Sequence, residues 1–328
     1  MARDKVALVT GGAGFIGSHL VSRIVRDGWY VRVVDNFSTG KWENLEQFKG
    51  RKDFEIMRGD LKSSEDCARA VKGIETVFHF AANPEVRVST INPRVHFEEN
   101  LLTTFNLLDA MRQSGNAKSM LFASSSAVYG DISNLPVDES YPNPKPVSVY
   151  GAVKLAGENI ISTFSRLYGF KVACLRFANI VGPKIRHGVI YDLLMKLRKS
   201  PDRLEILGDG NQRKSYLHVD DAVEATLKVL DALDERTMQV YNVGSEDWIS
   251  VREIADIVVH EAGRQGIPYE MVPATDDGRG WIGDIKLMIL DISKLKSLGY
   301  EPKMNSYEAV QRTARSLVSE LDLCTDRL

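Results

Sequence analysis

Three features that this 328-residue chain lacks narrow its class before any motif is considered. Cysteine is scarce, because Cys67, Cys174 and Cys324 are the only three, they lie far apart and they form no CxxC pair. Such a set predicts neither a disulfide framework nor a zinc site, so we interpret all three as reduced thiols. A formal charge of -2, with acids and bases mixed along the chain, provides no basic patch for nucleic acid.

Long apolar runs are also missing. No stretch approaches the ~20 residues that a helix needs to span a bilayer, and Met1 to Lys5 lead into an apolar run without the features of a cleavable signal sequence. We therefore expect a cytoplasmic protein with no membrane or nucleic-acid partner. The six histidines are scattered and predict no metal site, and His79 and His218 lie in apolar contexts that indicate structural roles.

The first half of the chain alternates short apolar runs with amphipathic stretches. The predicted strands lie at 6–9, 31–34, 54–57, 76–80, 120–123 and 172–175, and the predicted helices lie at 16–26, 65–71, 95–112 and 151–168. This alternation predicts an α/β fold, a doubly wound parallel sheet with right-handed crossovers and helices on both faces.

The second half of the chain is less regular, with turn signals at Gly182-Pro183, Gly208-Asp209-Gly210 and 277–280. We predict a first domain, of the Rossmann type, over residues 1–180 and a smaller mixed α/β lobe over residues 181–328. Segments near 216–244 look regular enough to return to the large sheet, so the boundary is not expected to be one clean cut.

The loop after the first predicted strand carries Gly12, Gly14 and Gly17 and opens the first predicted helix. This order fits the dinucleotide fingerprint, in which glycines allow a tight turn and the helix N-terminus supplies amide donors to a pyrophosphate. Asp35 ends the second strand, where a carboxylate can accept from both adenosine ribose hydroxyls and would repel a 2′-phosphate. The pattern favours NAD over NADP, although Arg32 in the same strand is an alternative phosphate partner.

Polar side chains follow two further predicted strands. Asp60 has two equal interpretations, as an acceptor for the adenine amino group or as the cap of the next helix. Ser124, Ser125 and Ser126 follow a later strand, whose carboxyl end is expected to face the same crevice as the glycine loop. A hydroxyl there could bind a substrate oxygen, whereas serine runs after strands are more often turn formers.

Tyr150 and Lys154 lie one helical turn apart on one face of a predicted helix. A nearby lysine cation stabilises a phenolate and lowers the pKa of tyrosine from about 10 toward the working range, so the pair can move protons. The alternative is a snorkelling lysine beside a half-buried ring.

Taken in order, these residues resemble the extended short-chain dehydrogenase/reductases, and within them the UDP-glucose 4-epimerase-like nucleotide-sugar enzymes. The matching elements run from residue 6 to beyond 220 and are specific for the superfamily rather than for one sugar. They include Gly11-x-x-Gly14-x-x-Gly17, Asp35 to Gly40, Gly59-Asp60, His79 to Ala82, Asn100, Ser124 to Gly130, the Tyr150/Lys154 pair, Arg176 to Asn179, Gly208-Asp209-Gly210-x-Gln212 and His218 to Asp221.

The resemblance implies a tightly held NAD that oxidises the C4 hydroxyl of a UDP-sugar, after which the 4-keto sugar turns and takes the hydride back on its other face. Tyr150 would be the base, Lys154 would hold the nicotinamide ribose and Ser125 would be the catalytic serine, with Ser124 and Ser126 as alternatives. The implied cofactor residues are Gly11, Gly14, Phe15, Ile16, Gly17, Asp35, Asn36, Ser38, Gly40, Asp60, Leu61, Phe80, Ala81, Ala82, Asn100, Ser124, Tyr150 and Lys154. The implied substrate residues are Ser125, Tyr150, Asn179, Val189, Leu204, Leu207, Lys214 and Arg279.

Two departures from related patterns bear on the reaction. Nucleotide-sugar 4,6-dehydratases, which this chain resembles too, need an Asp-Glu pair where Ser126 and Ala127 stand here, so dehydration and the related decarboxylation are disfavoured.

The second departure concerns the diphosphate. The two phosphate-binding arginines of the family fall on Lys214 and Trp281, and a lysine lacks the bidentate fork of an arginine. We prefer Arg279 as the diphosphate cation and interpret Arg213 as surface charge.

The expected substrate pair is UDP-glucose and UDP-galactose. UDP-glucuronate and N-acetylated UDP-sugars remain alternatives, and Lys184, Arg186 and His187 keep the uronate open. Two further possibilities are a nucleotide-sugar reductase that releases its cofactor and a catalytically silent NAD-binding sensor. In relatives the helices that match 95–112 and 151–168 form a four-helix seam, so the resemblance also implies a homodimer.

Overall fold

The computed structural model describes residues 5–233 and 238–323, and Cys324 lies outside this part of the chain. The chain divides into two compact units. The first contains the chain up to Val128, Val149–Arg176 and Val223–Tyr241, and the second contains Tyr129–Ser148, Phe177–Ala222 and the chain from Asn242 onward. Instead of one boundary near residue 180, the second unit therefore includes an early segment, 129–148, that carries no strong periodic pattern.

The secondary-structure elements are numbered in chain order. The strands are β1 (Val6–Thr10), β2 (Tyr30–Asp35), β3 (Phe54–Arg58), β4 (Thr76–His79), β5 (Ser119–Ser125), β6 (Lys171–Phe177), β7 (Asn179–Val181), β8 (Leu204–Leu207), β9 (Arg213–Lys214), β10 (Tyr216–His218), β11 (Gln239–Val243), β12 (Ile249–Ser250), β13 (Tyr269–Val272) and β14 (Leu287–Met288). The helices are α1 (Phe15–Arg26), α2 (Ser64–Val71), α3 (Arg94–His96), α4 (Thr103–Ser114), α5 (Val149–Tyr168), α6 (Gly188–Lys199), α7 (Val219–Asp231), α8 (Val251–Glu261), α9 (Ser293–Lys296) and α10 (Ser306–Glu320).

A seven-stranded sheet in the order β11-β6-β5-β4-β1-β2-β3 forms the core of the first unit. The pairs β1–β2, β2–β3, β1–β4 and β4–β5 are parallel. The chain adds strands on one side of β1 and then, from β4, on the other, which is the strand-order reversal where doubly wound sheets bind ligands. The predicted fold class is confirmed.

Apolar strands and helix faces build the core of this unit. Four of the five residues of β1 are buried, because helices cover a parallel sheet on both faces and leave no polar alternation. Leu8, Val77, Met120 and Phe122 join one buried cluster, and fully burying a side chain of this size contributes roughly 1.5–3 kcal/mol.

The helix predicted over 95–112 is interrupted. Short α3 leads into a π-helical turn, Phe97–Leu102, and regular helix resumes with α4. The Thr103 and Thr104 hydroxyls donate to the carbonyls of Glu99 and Asn100, which competes with the regular backbone ladder. Apolar periodicity cannot reveal this turn, because the apolar positions continue through it.

The second unit is a mixed α/β assembly of small sheets. β9 pairs antiparallel with β12 and parallel with β14, β8 pairs with β13, and β10 pairs with β7. Of the segments near 216–244 that were expected to return to the large sheet, β11 joins it beside β6, whereas the expectation is wrong for 216–218, because β10 pairs with β7 and the second unit continues to Ala222. Both α8 and α10 begin with capping boxes, at Ser250 and Asn305, that stabilise their first turns.

Within the described residues, we find no helix with the length and apolar character that crossing a membrane requires.

Candidate active site

The glycine loop between β1 and α1 adopts the conformation that a dinucleotide site needs. Gly11 has a positive φ of 66°, and its carbonyl accepts from the Gly14 amide at 3.0 Å. A Cβ on Gly17 would lie 2.2 Å from the Gly11 carbonyl oxygen, so this position tolerates no side chain. The first turn of α1 contains no acidic residue, and the amides of Phe15, Ile16 and Gly17 precede the first helical bond, from Ser18 to the Gly14 carbonyl, so this helix N-terminus fits a pyrophosphate.

Asp35 ties the glycine loop to the next turn. Its two carboxylate oxygens accept from the amides of Ala13 at 2.9 Å and Phe37 at 2.8 Å. Burial raises the pKa of Asp35, and the two amide hydrogen bonds lower it. A Cβ on Gly40 would lie 2.9 Å from both oxygens, which explains the glycine there. Each oxygen retains a further lone pair for a ribose hydroxyl.

Arg32 does not serve as a phosphate partner in this structure. Its guanidinium bonds Glu55 at 2.9 Å and donates to the carbonyls of Ala70 and Lys72 at the end of α2. With this cation engaged, the Asp35 carboxylate dominates the end of β2, and the site fits NAD better than NADP.

The two interpretations of Asp60 can now be separated. The N-cap of α2 is Ser63, whose hydroxyl accepts from the Asp66 amide at 3.2 Å. Asp60 instead accepts from the Lys62 amide at 2.9 Å and from the Asn36 side chain at 3.4 Å. The capping interpretation is therefore wrong, and an acceptor for adenine remains the prediction.

Around Asp60, Leu61 is buried, and the amide of Ser38 donates to the side-chain oxygen of Asn36 at 2.9 Å.

The loop after β4 packs against the glycine loop. The amides of Phe80 and Ala81 donate to the Thr10 hydroxyl at 3.2 and 3.1 Å. His79 bonds Thr10 and Thr104, and burial lowers its pKa to about 3, so this histidine is neutral.

Asn100, in the π-helical turn, holds the loop after β4 through the backbone of Asn83. Its side-chain oxygen accepts from the Asn83 amide at 2.7 Å, and its side-chain nitrogen donates to the Asn83 carbonyl at 3.2 Å. Because both ends of the buried amide bond Asn83, Asn100 holds the loop that carries Phe80, Ala81 and Ala82, and its role in cofactor binding stays a prediction.

Ser125, Tyr150 and Lys154 are brought together at the end of β5 and the start of α5. The Ser125 hydroxyl hydrogen-bonds the Tyr150 phenol, and the Lys154 Nζ lies 5.9 Å from the centre of the Tyr150 ring. This amine donates to the Ala123 carbonyl at 2.7 Å. The three predicted catalytic side chains therefore lie within one cluster of the first unit.

Burial sets the electrostatics of this cluster. It raises the pKa of Tyr150, an effect opposed by the Ser125 hydrogen bond, and it lowers the pKa of Lys154 to about 8. Loss of water disfavours the charged form of each group. The expectation that Lys154 draws the pKa of Tyr150 toward the working range is therefore corrected, because burial raises this pKa and the Ser125 hydrogen bond, rather than Lys154, opposes the rise.

Ser124 is directed away from this cluster. Its hydroxyl donates to Glu158 at 2.5 Å, and Glu158 is bound in turn by Arg176 at 2.7 Å. The hydroxyl of Ser124 is thus unavailable to a ligand, which removes it as an alternative catalytic serine and as a side-chain cofactor contact. Ser126 begins a 3₁₀ turn, Ser126–Val128.

Four predicted substrate residues lie on β7, α6 and β8 of the second unit. The Asn179 side chain donates to the Ser215 carbonyl at 3.1 Å, and Val189 is a partly exposed residue in the first turn of α6. Leu204 is fully buried and Leu207 is partly buried. The side chain of Leu204 is therefore a core residue, and its amide donates to the Pro268 carbonyl at 3.0 Å.

The two predicted diphosphate cations are both ion-paired. Lys214 bonds the buried Asp284 at 2.8 Å, and its Nζ lies 5.4 Å from the Trp281 ring centre. Arg279 bonds Asp131 at 2.5 Å and Asp277 at 2.8 Å. It also donates to the Asp284 carbonyl, which links the two cations through one residue.

Arg213 differs from these two cations because it lies at an exposed strand position and stacks on an aromatic ring. Its guanidinium carbon is 5.6 Å from the centre of the Trp248 ring.

Among the residues that the structure describes, no group of three or more His, Cys, Asp or Glu could hold a metal ion. Cys67 and Cys174 are buried free thiols, and burial raises the pKa of Cys67 to about 12.

Comparison with known proteins identifies the family. The sequence model of the NAD dependent epimerase/dehydratase family matches residues 7–244. The chain belongs to this family. A crystal structure of UDP-galactose 4-epimerase is similar, with 46% identity, a TM-score of 0.85 and coverage of 96% of this chain and 99% of that one.

Two further solved structures that are similar to this chain are named for different sugars. A UDP-glucose 4-epimerase from Thermotoga maritima, solved with UDP-glucose, is 31% identical, with a TM-score of 0.84 and coverage of 96% of this chain and 99% of that one. A UDP-N-acetylglucosamine 4-epimerase from Methanobrevibacter ruminantium is 29% identical, with a TM-score of 0.83 and coverage of 97% and 99%.

Two residues that contact the predicted site residues were missed by sequence reasoning. Glu158 accepts from Ser124, and Asp131 pairs with Arg279. Glu158 had a local signal, because it lies one turn after Lys154 on a helix. Asp131 had none, since Arg279 is distant in sequence, and 70 positions likewise separate Asp284 from its partner Lys214.

Proposed function

We propose that the protein catalyses NAD-dependent 4-epimerisation of a UDP-sugar, with UDP-glucose and UDP-galactose as the substrate pair. The observation that carries this proposal is the cluster of Ser125, Tyr150 and Lys154 at the carboxyl end of β5, in the unit that also contains the glycine loop and Asp35. A binding protein that only senses NAD needs no such proton relay, which disfavours the silent sensor.

Bound NAD supplies a reversible hydride acceptor. The residues of the chain then handle the proton at C4: Tyr150 accepts it from the sugar hydroxyl and returns it, while Ser125 hydrogen-bonds the same oxygen. Because burial raises the pKa of Tyr150, proton removal by this phenol needs a nearby positive charge, and we assign that role to Lys154, whose Nζ lies 5.9 Å from the centre of the ring. The amine keeps its net charge because it donates to a neutral carbonyl.

Elimination of water is not part of the proposal. A dehydratase needs carboxyl groups after the catalytic hydroxyl, and the 3₁₀ turn at that place presents Ser126 and Ala127. The keto intermediate formed at C4 is therefore expected to be reduced again rather than dehydrated.

The uronate alternative loses part of its support. Arg186 bonds Glu320 at 2.9 Å and donates to the Ile185 carbonyl, so its guanidinium already has a carboxylate partner. His187 is the N-cap residue of α6. We propose a neutral hexose because the UDP-galactose 4-epimerase structure is 46% identical to this chain. An N-acetylated hexose is the second candidate, because a UDP-N-acetylglucosamine 4-epimerase is similar to this chain over most of its length.

We also propose that the protein is a homodimer. The helical region from the π-turn to α5 carries large apolar side chains with substantial exposure, namely Phe97 at 52%, Phe105 at 46% and Leu167 at 66%. Phe105 packs edge-on against Phe164 of α5, with ring centres 5.9 Å apart, so the two helices present one apolar face. A second copy would cover this face.

Light scattering after gel filtration tests the dimer. Phe105→Glu is expected to give a monomer, whereas Tyr307→Glu, a change at an exposed aromatic of the second unit, is expected to leave the dimer intact. A dimeric Phe105→Glu protein would contradict this interface.

We also propose that the protein lies in the cytosol, where thiols such as Cys67 and Cys174 stay reduced.

A panel of UDP-sugars tests the reaction. Protein with a known NAD content is incubated with UDP-galactose, UDP-glucuronate and UDP-N-acetylglucosamine, and the C4 epimers are separated by chromatography. Conversion of UDP-galactose to UDP-glucose is expected to be fastest. Faster conversion of another sugar would replace the substrate assignment, and no epimer from any sugar would refute the proposed function. Stoichiometric consumption of added NADH would favour a reductase.

A further inference from the structure

We propose that Glu158 is a positioning residue for the catalytic cluster: its buried carboxylate holds β5 and α5 in the register that places Ser125 and Lys154 around Tyr150. The role rests on the proposed function. Glu158 contacts neither the phenol of Tyr150 nor the hydroxyl of Ser125 directly, so it acts through its neighbours.

The carboxylate joins three elements. Oε1 accepts from the Ser124 hydroxyl of β5 at 2.5 Å and from Arg176 Nε of β6 at 3.0 Å. Oε2 accepts from the second guanidinium nitrogen of Arg176 at 2.7 Å. Ser124 and Glu158 are each 3% exposed and Arg176 is 6% exposed, so these bonds form away from water.

The contacts of three consecutive β5 residues show what the carboxylate fixes. The Ala123 carbonyl accepts from Lys154, the Ser124 hydroxyl donates to Glu158, and the Ser125 hydroxyl bonds Tyr150. Tyr150, Lys154 and Glu158 follow one another at single-turn intervals along one face of α5. Each residue of the strand end therefore meets one residue of this face, and a shift of the helix by one position would break all three contacts.

Close packing supports the same register. A Cβ on Gly157 would lie 3.2 Å from the Phe122 ring, so a glycine lets α5 approach β5. The Lys154 amine lies 4.8 Å from the centre of that ring. The Glu158 carboxylate thus bonds β5 and β6 one residue after a position where α5 packs tightly against β5.

Glu158 also balances charge around Lys154. The titratable groups whose charges act with this amine are Tyr150 and Glu158 on α5, His79 on β4, His96 on α3 and Cys174 on β6. Cys174 and Glu158 both raise the pKa of Lys154 against the effect of burial, but burial raises the pKa of the Cys174 thiol itself, so Glu158 supplies the negative charge of the two. Loss of its charge should therefore make both Lys154 and Tyr150 release protons at lower pH.

Glu158→Gln separates this role from a purely structural one, because the amide keeps an acceptor for Ser124 and removes the charge. In protein labelled with ¹⁵N-lysine, the Lys154 amine signal, assigned by its loss in Lys154→Met, should titrate at a pH lower by about half a unit or more. This measurement needs no turnover, so it stands even if the proposed function fails.

In the epimerase assay, both limbs of the pH profile should move to lower pH, and kcat should fall by about tenfold. Glu253→Gln, which alters the capping box of α8, is the matched control for lost stability and should change neither limb. An unchanged Lys154 titration together with an unchanged kcat in folded Glu158→Gln would overturn the proposal.

If Glu158→Gln fails to fold, Ser124→Ala provides the test. This variant removes one hydrogen bond to the Glu158 carboxylate and leaves the ion pair between Glu158 and Arg176 in place. We expect folded protein with bound NAD and a kcat lower by about three- to tenfold. A wild-type kcat in Ser124→Ala would contradict a positioning role for this network.

Discussion

The cations of the two units are held in opposite ways. In the first unit, the buried Lys154 donates to the Ala123 carbonyl, so its charge remains available to the phenol beside it. In the second unit, Lys214 and Arg279 bond carboxylates, so their charges are already offset. If the proposed roles are right, Lys154 can act without giving up an ion pair, whereas Lys214 and Arg279 must exchange a protein carboxylate for the diphosphate.

The largest expected effect is in the first unit. Tyr150→Phe removes the proton acceptor and should lower kcat by about 10³-fold while bound NAD is retained. Turnover assays measure the change in kcat, and the NAD content of the purified protein shows whether the cofactor is retained. Tyr30→Phe, which removes a hydroxyl bonded to Glu55 in the same unit, is the control and should keep full activity. Loss of NAD in Tyr150→Phe would instead make the tyrosine structural.

Removing Arg279, an ion-paired cation of the second unit, should weaken the binding of UDP and leave the rate of the chemical step largely unchanged. Arg279→Gln is expected to raise the Kd for UDP by about 10- to 100-fold, because charge-assisted hydrogen bonds to the diphosphate are lost. Calorimetric titration with UDP measures this change. Arg213→Gln, which removes only the contact with the Trp248 ring, should leave the Kd within about twofold. Equal increases in the Kd for UDP in the two variants would contradict the assignment of Arg279 as the diphosphate cation.

The burial of Lys154 predicts a pH dependence. Its pKa is lowered to about 8, so the amine loses its charge as pH rises through that value and no longer stabilises the phenolate. Epimerase activity should therefore fall above pH 8, by about tenfold for each further unit. A profile that stays flat to pH 10 would show that the charge of Lys154 is not needed.

The smallest expected effect concerns the carboxylate that occupies Arg279. Asp131→Asn should tighten UDP binding by about two- to fivefold, because the ligand no longer has to displace an exposed ion pair worth roughly 0.2–1 kcal/mol. Titration at low and high salt measures the change, which should shrink as salt screens the pair. Weaker binding in this variant would mean that Asp131 helps to position Arg279.

Local patterns predicted the first unit well. The glycine loop, Asp35 and the cluster of Ser125, Tyr150 and Lys154 depend on short spacings after strands, and the structure brings these residues to the expected ends of β1, β2 and β5. Their functional roles stay predictions.

Features that depend on distant partners could not be predicted. Ser124 bonds a glutamate 34 positions away, and Lys214 bonds an aspartate 70 positions away. Leu204 matched a ligand-binding strand by motif, but tertiary packing buries it completely. In each case the fold, rather than the local pattern, decides which neighbour a side chain meets.

If Tyr150 and its neighbours support removal and return of hydrogen at one sugar carbon, a label at that carbon should survive turnover. UDP-galactose carrying deuterium at C4 provides the test, with mass spectrometry of the separated UDP-glucose. The product is expected to retain the deuterium at C4, because the hydride never exchanges with water. Loss of the label to solvent, or a failure of NAD-loaded protein to form the epimer, would contradict this expectation.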